Sequence, residues 1–344
     1  MTVDARQPAI GSPAWVASYT LSSRTACRKA QLDLARVDER LFSLEADLGQ
    51  YSVPFHRDFP DRFLQLGIAE ADLVGTAVGL AQRGKVPFVN SFATFLAFRA
   101  CEQVRLDVAY HRANVKLVGA YAGLSGGAAA STHHATEDLA ILRALPNFVV
   151  LSPADAVETC KAVWAAAAHD GPVYLRVGRA ETPQVYFADY DFAIGKAVEL
   201  VPGGDLALLA TGNQMVAEAV LAAARLRAAG IHARVVDVHT IKPLDREAVL
   251  AAAATGAVVT VEDHSVLGGL GGAVAELLAE ELPVPLLRLG VEDQFCEVVG
   301  PYEEMLTYYR LDADAIAAAA RRAVELAARR RDRRSSRVRG GRLG

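Results

Sequence analysis

Short β-branched runs alternate with longer Ala- and Leu-rich stretches along most of the chain. The short runs predict strands, and the longer stretches have the apolar spacing of helices. Strands that alternate with helices are typical of α/β domains with mostly parallel sheets. Since 344 residues exceed one average domain, the pattern predicts an α/β chain of two doubly wound, mostly parallel-sheet domains.

The first domain is predicted over residues 21–188, after an N-terminal extension at 1–20. We place its strands at Phe42–Leu44, Pro87–Asn90, Val115–Val118, Phe148–Leu151 and Val173–Val177. We place its helices at Thr25–Val37, Ile68–Arg83, Glu102–Tyr110 and Asp155–His169. Ser152 is expected to be the N-cap of the last helix, with Pro153 at its first position.

Residues 180–204 change character, since they are rich in Pro, Gly and Tyr and lack a helical period. We therefore expect a linker at 189–204, a second domain at 205–328 and a tail at 329–344. Strands in the second domain are predicted at Leu206–Ala210, Arg234–Val238, Val258–Glu262 and Pro285–Leu289. Helices are predicted at Val216–Ala229, Asp245–Ala254, Gly272–Glu281 and Asp312–Ala328.

The charge of the chain is uneven. The tail at 329–344 has eight arginines and one aspartate, a local charge of +7, whereas the net charge is −4, so the remaining 328 residues carry −11. A basic tail can bind nucleic acid. This one has no aromatic residue to stack on a base and follows an acidic body, which favours a solvated tail and no nucleic-acid partner.

The sequence also narrows the location of the protein. No apolar run reaches the roughly 20 residues that span a bilayer, so no membrane association is expected. The four cysteines stand far apart without a CxxC pair, which favours neither a metal site nor a disulfide framework. We therefore expect a cytoplasmic protein.

The glycine-rich run at 268–272 lacks dinucleotide-binding spacing, and we interpret it as a tight turn without a ligand.

Glu70 lies at the start of a predicted helix and shares a face with apolar residues. At helical spacing that face contains Leu73, Val74, Ala77, Val78 and Ala81. A first-turn glutamate favours the helix dipole, whereas a carboxylate beside an apolar stripe is costly unless it has a partner. Spacing alone leaves a structural and a catalytic role equally open.

Three phenylalanines, Phe92, Phe95 and Phe98, recur every three residues just after a predicted strand. They predict either a core stripe or a platform on which a flat heteroaromatic ring stacks.

His133 follows a loop rich in Gly, Ala and Ser, whose small side chains let a ligand approach the backbone. It is a surface histidine or an acid–base candidate. Adjacent His133 and His134 point apart and form a poor metal pair, so no metal ligands are assigned. We expect Glu137, four residues on, to steer the His133 ring.

Arg24, Arg176 and Arg179 are candidates for anion binding, because a planar guanidinium can bind two phosphate oxygens at once. In an alternating strand Arg176 and Arg179 face opposite ways, so only one of them easily points into a pocket. Surface salt bridges are the alternative interpretation.

Taken together, these segments resemble the transketolase family, especially its split form, over residues 20–327. The first-domain stretches that carry the resemblance are Leu44–Gly49, Phe59–Phe88, Ser91–Asp107, Gly123–Asn147, Ser152–Glu158 and Pro172–Arg179. In the second domain they are Val261–Gly272 and Val291–Asp312. Their order and spacing are more specific than any single motif.

The resemblance implies a pyrimidine-binding domain followed by a transketolase C-terminal domain. It further implies a transferase that uses thiamine diphosphate and Mg²⁺ to move a two-carbon ketol unit from a ketose, such as a sugar phosphate, to an aldehyde. Residues that resemble the family's metal-binding motif are not found in this sequence. The diphosphate and Mg²⁺ would then be held by a separate N-terminal subunit, in an α2β2 heterotetramer.

The resemblance also implies roles for individual residues. Glu70 would hydrogen-bond N1′ of the aminopyrimidine and activate the cofactor. Phe95 would stack on that ring, with Phe92 and Phe98 as walls of the pocket. His133 would exchange protons with substrate hydroxyls. Arg24 and Arg179 would bind phosphate, which makes Arg176 the structural arginine.

Two positions depart from the family pattern. Ala129 stands where an aspartate that binds a sugar hydroxyl is expected, and Tyr121 replaces a histidine at the substrate site. Because polar contacts discriminate among substrates more strongly than apolar fit, we expect intact cofactor activation but an altered acceptor, as in specialised metabolism.

Three alternatives remain. The beta subunit of a 2-oxo-acid dehydrogenase or acyloin-forming complex would share the fold and the glutamate. A 1-deoxyxylulose-phosphate synthase is disfavoured because that family carries all of its domains in one chain. A non-catalytic partner subunit would account for Ala129 and Tyr121, but it would also be expected to lose Glu70.

Overall fold

The computed structural model describes residues 22–48, 53–186 and 190–340, with backbone alone at Val53 and at 331–340. The expected N-terminal extension, the last residues of the tail and part of the expected linker lie outside the described residues.

The first part of the chain forms most of a seven-stranded sheet with flanking helices. Its strands are β1 (Leu41–Glu45), β2 (Phe63–Gln65), β3 (Val86–Phe92), β4 (Lys116–Ala120), β5 (Val149–Leu151) and β6 (Val173–Arg176). Its helices are α1 (Ser23–Ala35), α2 (Val53–Asp58), α3 (Glu70–Gln82), α5 (Asp138–Ala144) and α6 (Ala156–Ala168). Between α3 and α5, α4 runs through three consecutive helical segments, Phe95–Arg99, Cys101–Gln103 and Val104–Tyr110, of which the first and last are π-helical.

The second part forms a five-stranded sheet. Its strands are β7 (Val198–Val201), β8 (Leu206–Ala210), β9 (Ala233–Asp237), β11 (Val258–Ser265) and β12 (Leu286–Val291), and a further strand, β10 (Thr240–Lys242), follows β9 in sequence. Its helices are α7 (Met215–Ala228), α8 (Arg246–Ala253), α9 (Leu270–Glu281), α10 (Tyr302–Tyr308) and α11 (Ala313–Gly340). No helix in the described part of the chain is long and apolar enough to cross a membrane.

Both sheets are mostly parallel, which confirms the predicted α/β class. The strand orders are β10-β5-β6-β4-β3-β1-β2 and β12-β11-β8-β9-β7. One strand in each sheet is antiparallel: β7 beside β9, and β10 beside β5. Strand β10 belongs in sequence to the second part and yet completes the first sheet, so the two parts share a strand.

Helix α3 shows how the sequence pattern produces the packing. Leu73, Val74, Ala77 and Val78 are buried on one face against the sheet, as their helical spacing predicts. Glu70 lies on the same face and is 1% exposed. The fold therefore places this carboxylate inside the protein and not on its surface.

Several local predictions need correction. Asp155, and not Ser152, caps α6, since its carboxylate accepts the Glu158 N–H at 2.8 Å. The helix expected at Glu102–Tyr110 begins already at Phe95 as π-helix. The interval expected as a linker contains β7.

The glycine-rich run at 268–272 leads into α9, which begins at Leu270, so its last three residues form the start of the helix. The Glu262 carboxylate accepts the N–H groups of Leu270 and Gly271, both at 2.7 Å. A side chain of the protein thus occupies the anion-binding end of this helix, which agrees with a turn that holds no ligand. A Cβ at Gly269 would collide with the same carboxylate, so the turn requires glycine there.

A buried ionic cluster joins the two parts. Arg176 at the end of β6 donates from Nε to Asp138 at 2.9 Å and from Nη1 to Asp263 at 2.6 Å. The Tyr302 hydroxyl donates to the other oxygen of Asp263 at 2.8 Å. Asp263 and Tyr302 come from the second part of the chain, so Arg176 is the structural arginine that the sequence resemblance implied.

A second buried cluster lies where the chain passes between the two parts. Tyr186 donates its hydroxyl to Asp237 at 2.7 Å, and Tyr190 donates to Glu158 at 2.9 Å. The two phenol rings stack with their centroids 4.0 Å apart. Burial raises the pKa of the Asp237 carboxyl to about 7, with the nearby Asp155 carboxylate acting in the same direction.

Candidate active site

The candidate residues gather at the carboxyl ends of neighbouring strands of the first sheet. Phe92 ends β3, Tyr121 follows β4, and Arg179 follows β6 by three residues. These strands are adjacent in the order β6-β4-β3. The carboxyl edge of a parallel sheet is where α/β proteins usually bind ligands, so topology alone brings these side chains together.

Glu70 is the first residue of α3, and its carboxylate has two side-chain partners. Ser91 donates its hydroxyl to Oε1 at 3.0 Å, and Arg99 donates from Nη1 to Oε2 at 2.6 Å. These partners offset the cost of burying the charge.

An aromatic cluster continues from this carboxylate. Phe92 meets Phe95 with ring centroids 5.5 Å apart and Tyr121 at 4.7 Å, both edge to face. His133 lies against the same two phenylalanines, 4.9 Å from Phe92 and 5.2 Å from Phe95. The His133 imidazole thus contacts Phe95, which lies against Arg99, and also Phe92, which lies against Tyr121.

Phe98 is separate from this cluster. Its side chain is 53% exposed, whereas Phe92 and Phe95 are partly buried. Phe98 is therefore not part of a core stripe, although it follows Phe92 and Phe95 at three-residue spacing.

The His133 loop is supported by the second part of the chain. Ser131 donates its hydroxyl to the carbonyl of Cys296 at 2.7 Å. Gly127 has φ 55°, and a Cβ there would meet the carbonyl oxygen of Gly300 at 2.9 Å. The short 3₁₀ helix Leu124–Ala129 is thereby held against the segment before α10.

The two adjacent histidines point apart, as expected. His134 is buried and its Nε2 lies 3.0 Å from the carbonyl oxygen of Gly127, whereas His133 faces the aromatic cluster. The expected contact between Glu137 and His133 is wrong. The Glu137 carboxylate accepts the Thr136 N–H instead, because α5 begins directly after it. The neighbour of His133 Nδ1 is the Thr132 hydroxyl at 2.9 Å.

Burial lowers the pKa of His133, and the nearby His134 and Arg99 act in the same direction. The imidazole is therefore predominantly neutral at pH 7. A neutral imidazole has one nitrogen that accepts a proton and one that donates, so His133 is suited to exchanging protons with a hydroxyl group.

Two arginines flank Tyr121. The guanidinium carbons of Arg24 and Arg179 each lie 5.1 Å from the centre of its ring. Arg24 lies in the first turn of α1, and its backbone N–H donates to the carbonyl oxygen of Gly178 at 3.1 Å. These two cations converge at the far side of the site from Glu70, and their planar donors suit an anion.

Sequence reasoning missed two residues of this site, Ser91 and Arg99. Both contact the Glu70 carboxylate. The signal for Arg99 was available, because it is the single charge within the run from Ser91 to Cys101. Nothing in the local sequence pairs either residue with Glu70, since the two contacts depend on the packing of α3 against β3, which contains Ser91, and against α4, which contains Arg99.

Among the described residues, no group of three or more His, Cys, Asp and Glu side chains is placed to hold a metal ion.

Comparison with known protein families identifies two domains. Residues 20–184 match the family model of the transketolase pyrimidine-binding domain. Residues 195–316 match that of the transketolase C-terminal domain.

Relatives from split enzymes match most of the chain. It is 47% identical to the 6-deoxy-6-sulfo-D-fructose transketolase subunit SqwH of Clostridium sp. (strain MSTE9), over 78% of this chain and 84% of that protein. It is 42% identical to one of the subunits of apulose-4-phosphate transketolase from Phocaeicola vulgatus, over 85% of this chain and 95% of that protein.

Among solved structures, one described as a split gene transketolase, inactive beta4 tetramer, superposes with a TM-score of 0.84. It is 43% identical, and the match covers 89% of this chain and 99% of the other. The chain therefore belongs to the transketolase family and contains its pyrimidine-binding and C-terminal domains.

Proposed function

We propose that this chain is the subunit of a split, thiamine-diphosphate-dependent transketolase that supplies the cofactor-activating glutamate. The observation that carries the proposal is a continuous row of contacts from Glu70 to the two arginines, which runs in order through Arg99, Phe95, His133, Phe92 and Tyr121. It links a buried carboxylate, a neutral imidazole and an anion-binding pair in one site.

The residues fit an aminopyrimidine. Glu70 offers a carboxylate of 1% exposure, and Phe95 offers an aromatic ring for a flat heterocycle. Thiamine diphosphate, when bound, supplies the carbanion chemistry that cleaves and forms the bond next to a ketose carbonyl. Glu70 would hold the ring nitrogen N1′ and exchange a proton with it, while Ser91 keeps the carboxylate in place.

His133 is proposed as the group that moves protons to and from substrate hydroxyls. It is half-buried against Phe92 and Phe95, and Phe92 in turn meets Tyr121, so the imidazole lies on the row of contacts from Glu70 to the arginines. Its lowered pKa keeps the imidazole neutral, so it can accept a proton from a hydroxyl without first losing one.

The substrate is proposed to be a ketose with a terminal phosphate or sulfonate. Arg24 and Arg179 are cations on either side of Tyr121, at the end of the site opposite Glu70. The relatives named above act on a sulfonated and a phosphorylated ketose, by their names. Ala129 and Tyr121 lack the carboxylate and imidazole expected in the family, which favours a less hydroxylated acceptor.

The proposed partner is an N-terminal, diphosphate-binding subunit that carries the Mg²⁺, in an α2β2 heterotetramer in the cytoplasm. Ile68 and Phe98, which stand close to Glu70 and Arg99 in the sequence, are 71% and 53% exposed on this chain. Large exposed apolar residues close to a site favour a protein interface there, and Phe98 would become a wall of the pocket on assembly.

The test is to purify the chain together with its partner subunit, with thiamine diphosphate and Mg²⁺, and to assay ketose phosphates and ketose sulfonates with aldehydes by mass spectrometry. Two-carbon transfer that requires both chains and Glu70 is the expected result. Release of CO₂ from 2-oxo acids would instead indicate the dehydrogenase-type subunit, and cofactor binding without any product would indicate a non-catalytic one.

A further inference from the structure

Arg99 makes two contacts inside the candidate site. Its Nη1 donates to Oε2 of Glu70 at 2.6 Å, and its guanidinium carbon lies 4.2 Å from the centre of the Phe95 ring. Phe92 and His133 meet the same ring at 79° and 66°, so neither stacks parallel to it. Arg99 thus joins the carboxylate and the ring that lie at one end of the site.

These are the two contacts that the proposed function assigns to the aminopyrimidine of the cofactor. A guanidinium and an aminopyrimidine that carries a proton on N1′ are both flat, delocalised cations, and both present N–H donors at their edge. A carboxylate beside an aromatic face can therefore accept either group in the same orientation. Both cannot occupy the Glu70 Oε2 and Phe95 contacts at the same time.

We propose that Arg99 holds the place of the aminopyrimidine ring, so that cofactor binding displaces its guanidinium from Glu70 and Phe95. The inference rests on the proposed function, because it takes Glu70 and Phe95 as the pyrimidine-binding residues. It adds a residue that competes with the cofactor in the subunit that supplies the activating carboxylate.

Burial makes this exchange physically reasonable. The Glu70 side chain is 1% exposed and would be left with Ser91 alone if nothing replaced Arg99. The Arg99 side chain is 43% exposed, so its guanidinium can rotate into solvent and be hydrated there. The carboxylate stays fixed while the arginine moves, and the entering ring restores the hydrogen bond on Oε2.

Such a competitor lowers the apparent affinity for the cofactor, because only molecules with Arg99 displaced can bind it. It also makes binding selective. A ligand that offers the diphosphate but no ring donor for Glu70 leaves the ion pair intact and gains nothing at this end of the site.

The experiment is a calorimetric titration of thiamine diphosphate into the chain assembled with its partner subunit in Mg²⁺. Arg99→Met keeps the length of the side chain and removes the guanidinium, and we expect its Kd for the cofactor to fall about tenfold. Arg99→Lys keeps the charge without the planar fork, and its Kd is expected between those of Arg99→Met and the wild type. Arg83→Met removes an exposed arginine from the other end of the Glu70 helix and should leave Kd unchanged.

A second readout needs no cofactor. Because Arg99→Met leaves the buried carboxylate with one partner, the chain alone should have a lower Tm than the wild type, and Arg83→Met should not. Lower Tm with tighter cofactor binding is the combination that distinguishes a placeholder from a simple structural arginine.

The outcomes separate the two proposals. An unchanged or higher Kd in Arg99→Met, with a wild-type complex that binds the cofactor normally, would overturn this inference and leave the proposed function standing. A wild-type complex that binds no thiamine diphosphate would overturn the proposed function, and this inference with it.

Discussion

Arg176 of the first domain and Asp263 of the second form an ion pair of 2.6 Å in which neither side chain is more than 2% exposed. Asp263 also accepts the Tyr302 hydroxyl, and a Cβ at Gly123 would collide with its carboxylate. One aspartate of the C-terminal domain therefore supports both Arg176 and the turn at Gly123, which leads into the His133 loop.

Asp263→Ala should lower the free energy of unfolding by about 3 kcal/mol or more, because it leaves a buried guanidinium with one carboxylate fewer. Urea unfolding of the isolated chain measures this. Asp293→Ala, an exposed aspartate on the loop that follows β12, is the matched control and should change stability little. Equal stability of the two variants would contradict the structural role of this pair.

Glu70→Gln should reduce ketol transfer at least about 100-fold, since an amide cannot exchange a proton with the cofactor ring. The rate in the assembled complex at saturating thiamine diphosphate measures this. Asp72→Asn, an exposed carboxylate in the first turn of the same helix, is the control and should retain the wild-type rate. A Glu70→Gln enzyme of normal rate would exclude the proposed catalytic role.

Tyr121→Leu should raise KM for a phosphorylated or sulfonated ketose about tenfold and change kcat less. The reason is that Arg24 and Arg179 both lie against the Tyr121 ring and would lose that support. Tyr121→Phe retains the ring and should behave like the wild type. If the KM of an uncharged ketose rose equally, the tyrosine would not act through the anion-binding arginines.

Asp237→Asn should stabilise the chain at pH 8 relative to the wild type, with little difference below pH 4. Burial raises the folded-state pKa of Asp237 from 3.8 to about 7, so the stability that its protonated form contributes is lost as pH rises through that range. The difference should grow to at most about 4 kcal/mol. The side-chain oxygen of asparagine can still accept the hydrogen bond from the Tyr186 hydroxyl, and asparagine carries no charge that burial would disfavour at high pH.

Unfolding followed at pH 4, 6 and 8 tests this dependence. Asp191→Asn removes an exposed carboxylate from the same connecting segment and is the control, which should change stability little. A pH-independent effect of Asp237→Asn would mean that the carboxyl ionises normally inside the fold.

The sequence predicted what depends on local pattern. The helix predicted at Ile68–Arg83, with its apolar face, and nine of the twelve strands that the structure describes follow from the spacing of apolar residues, whereas the short strands β2, β7 and β10 were not predicted. The separation of His133 from His134 follows because adjacent side chains diverge. The site assignments from the family resemblance remain predictions, although the structure brings all of them except Phe98 into one row of contacts.

What the sequence could not supply depends on contacts between distant segments. Arg99 has no local feature that pairs it with Glu70, 29 positions away. Glu137 was expected to contact His133 by helical spacing, but that stretch is a loop until α5 begins at Asp138. The N-cap of α6 is Asp155 and not the predicted Ser152, because the Asp155 carboxylate accepts the N–H of Glu158, three residues later.

Strand β10 has a consequence for how the chain can be divided. It lies among the residues of the C-terminal domain but pairs with β5, and Lys242 at its end donates to the carbonyl oxygens of Arg143 and Leu145 in the first domain. A fragment that stops at the family boundary near residue 195 would expose the edge of β5 and leave those carbonyls without their lysine. The two family domains therefore share one sheet, and we expect them to unfold together and not as separate units.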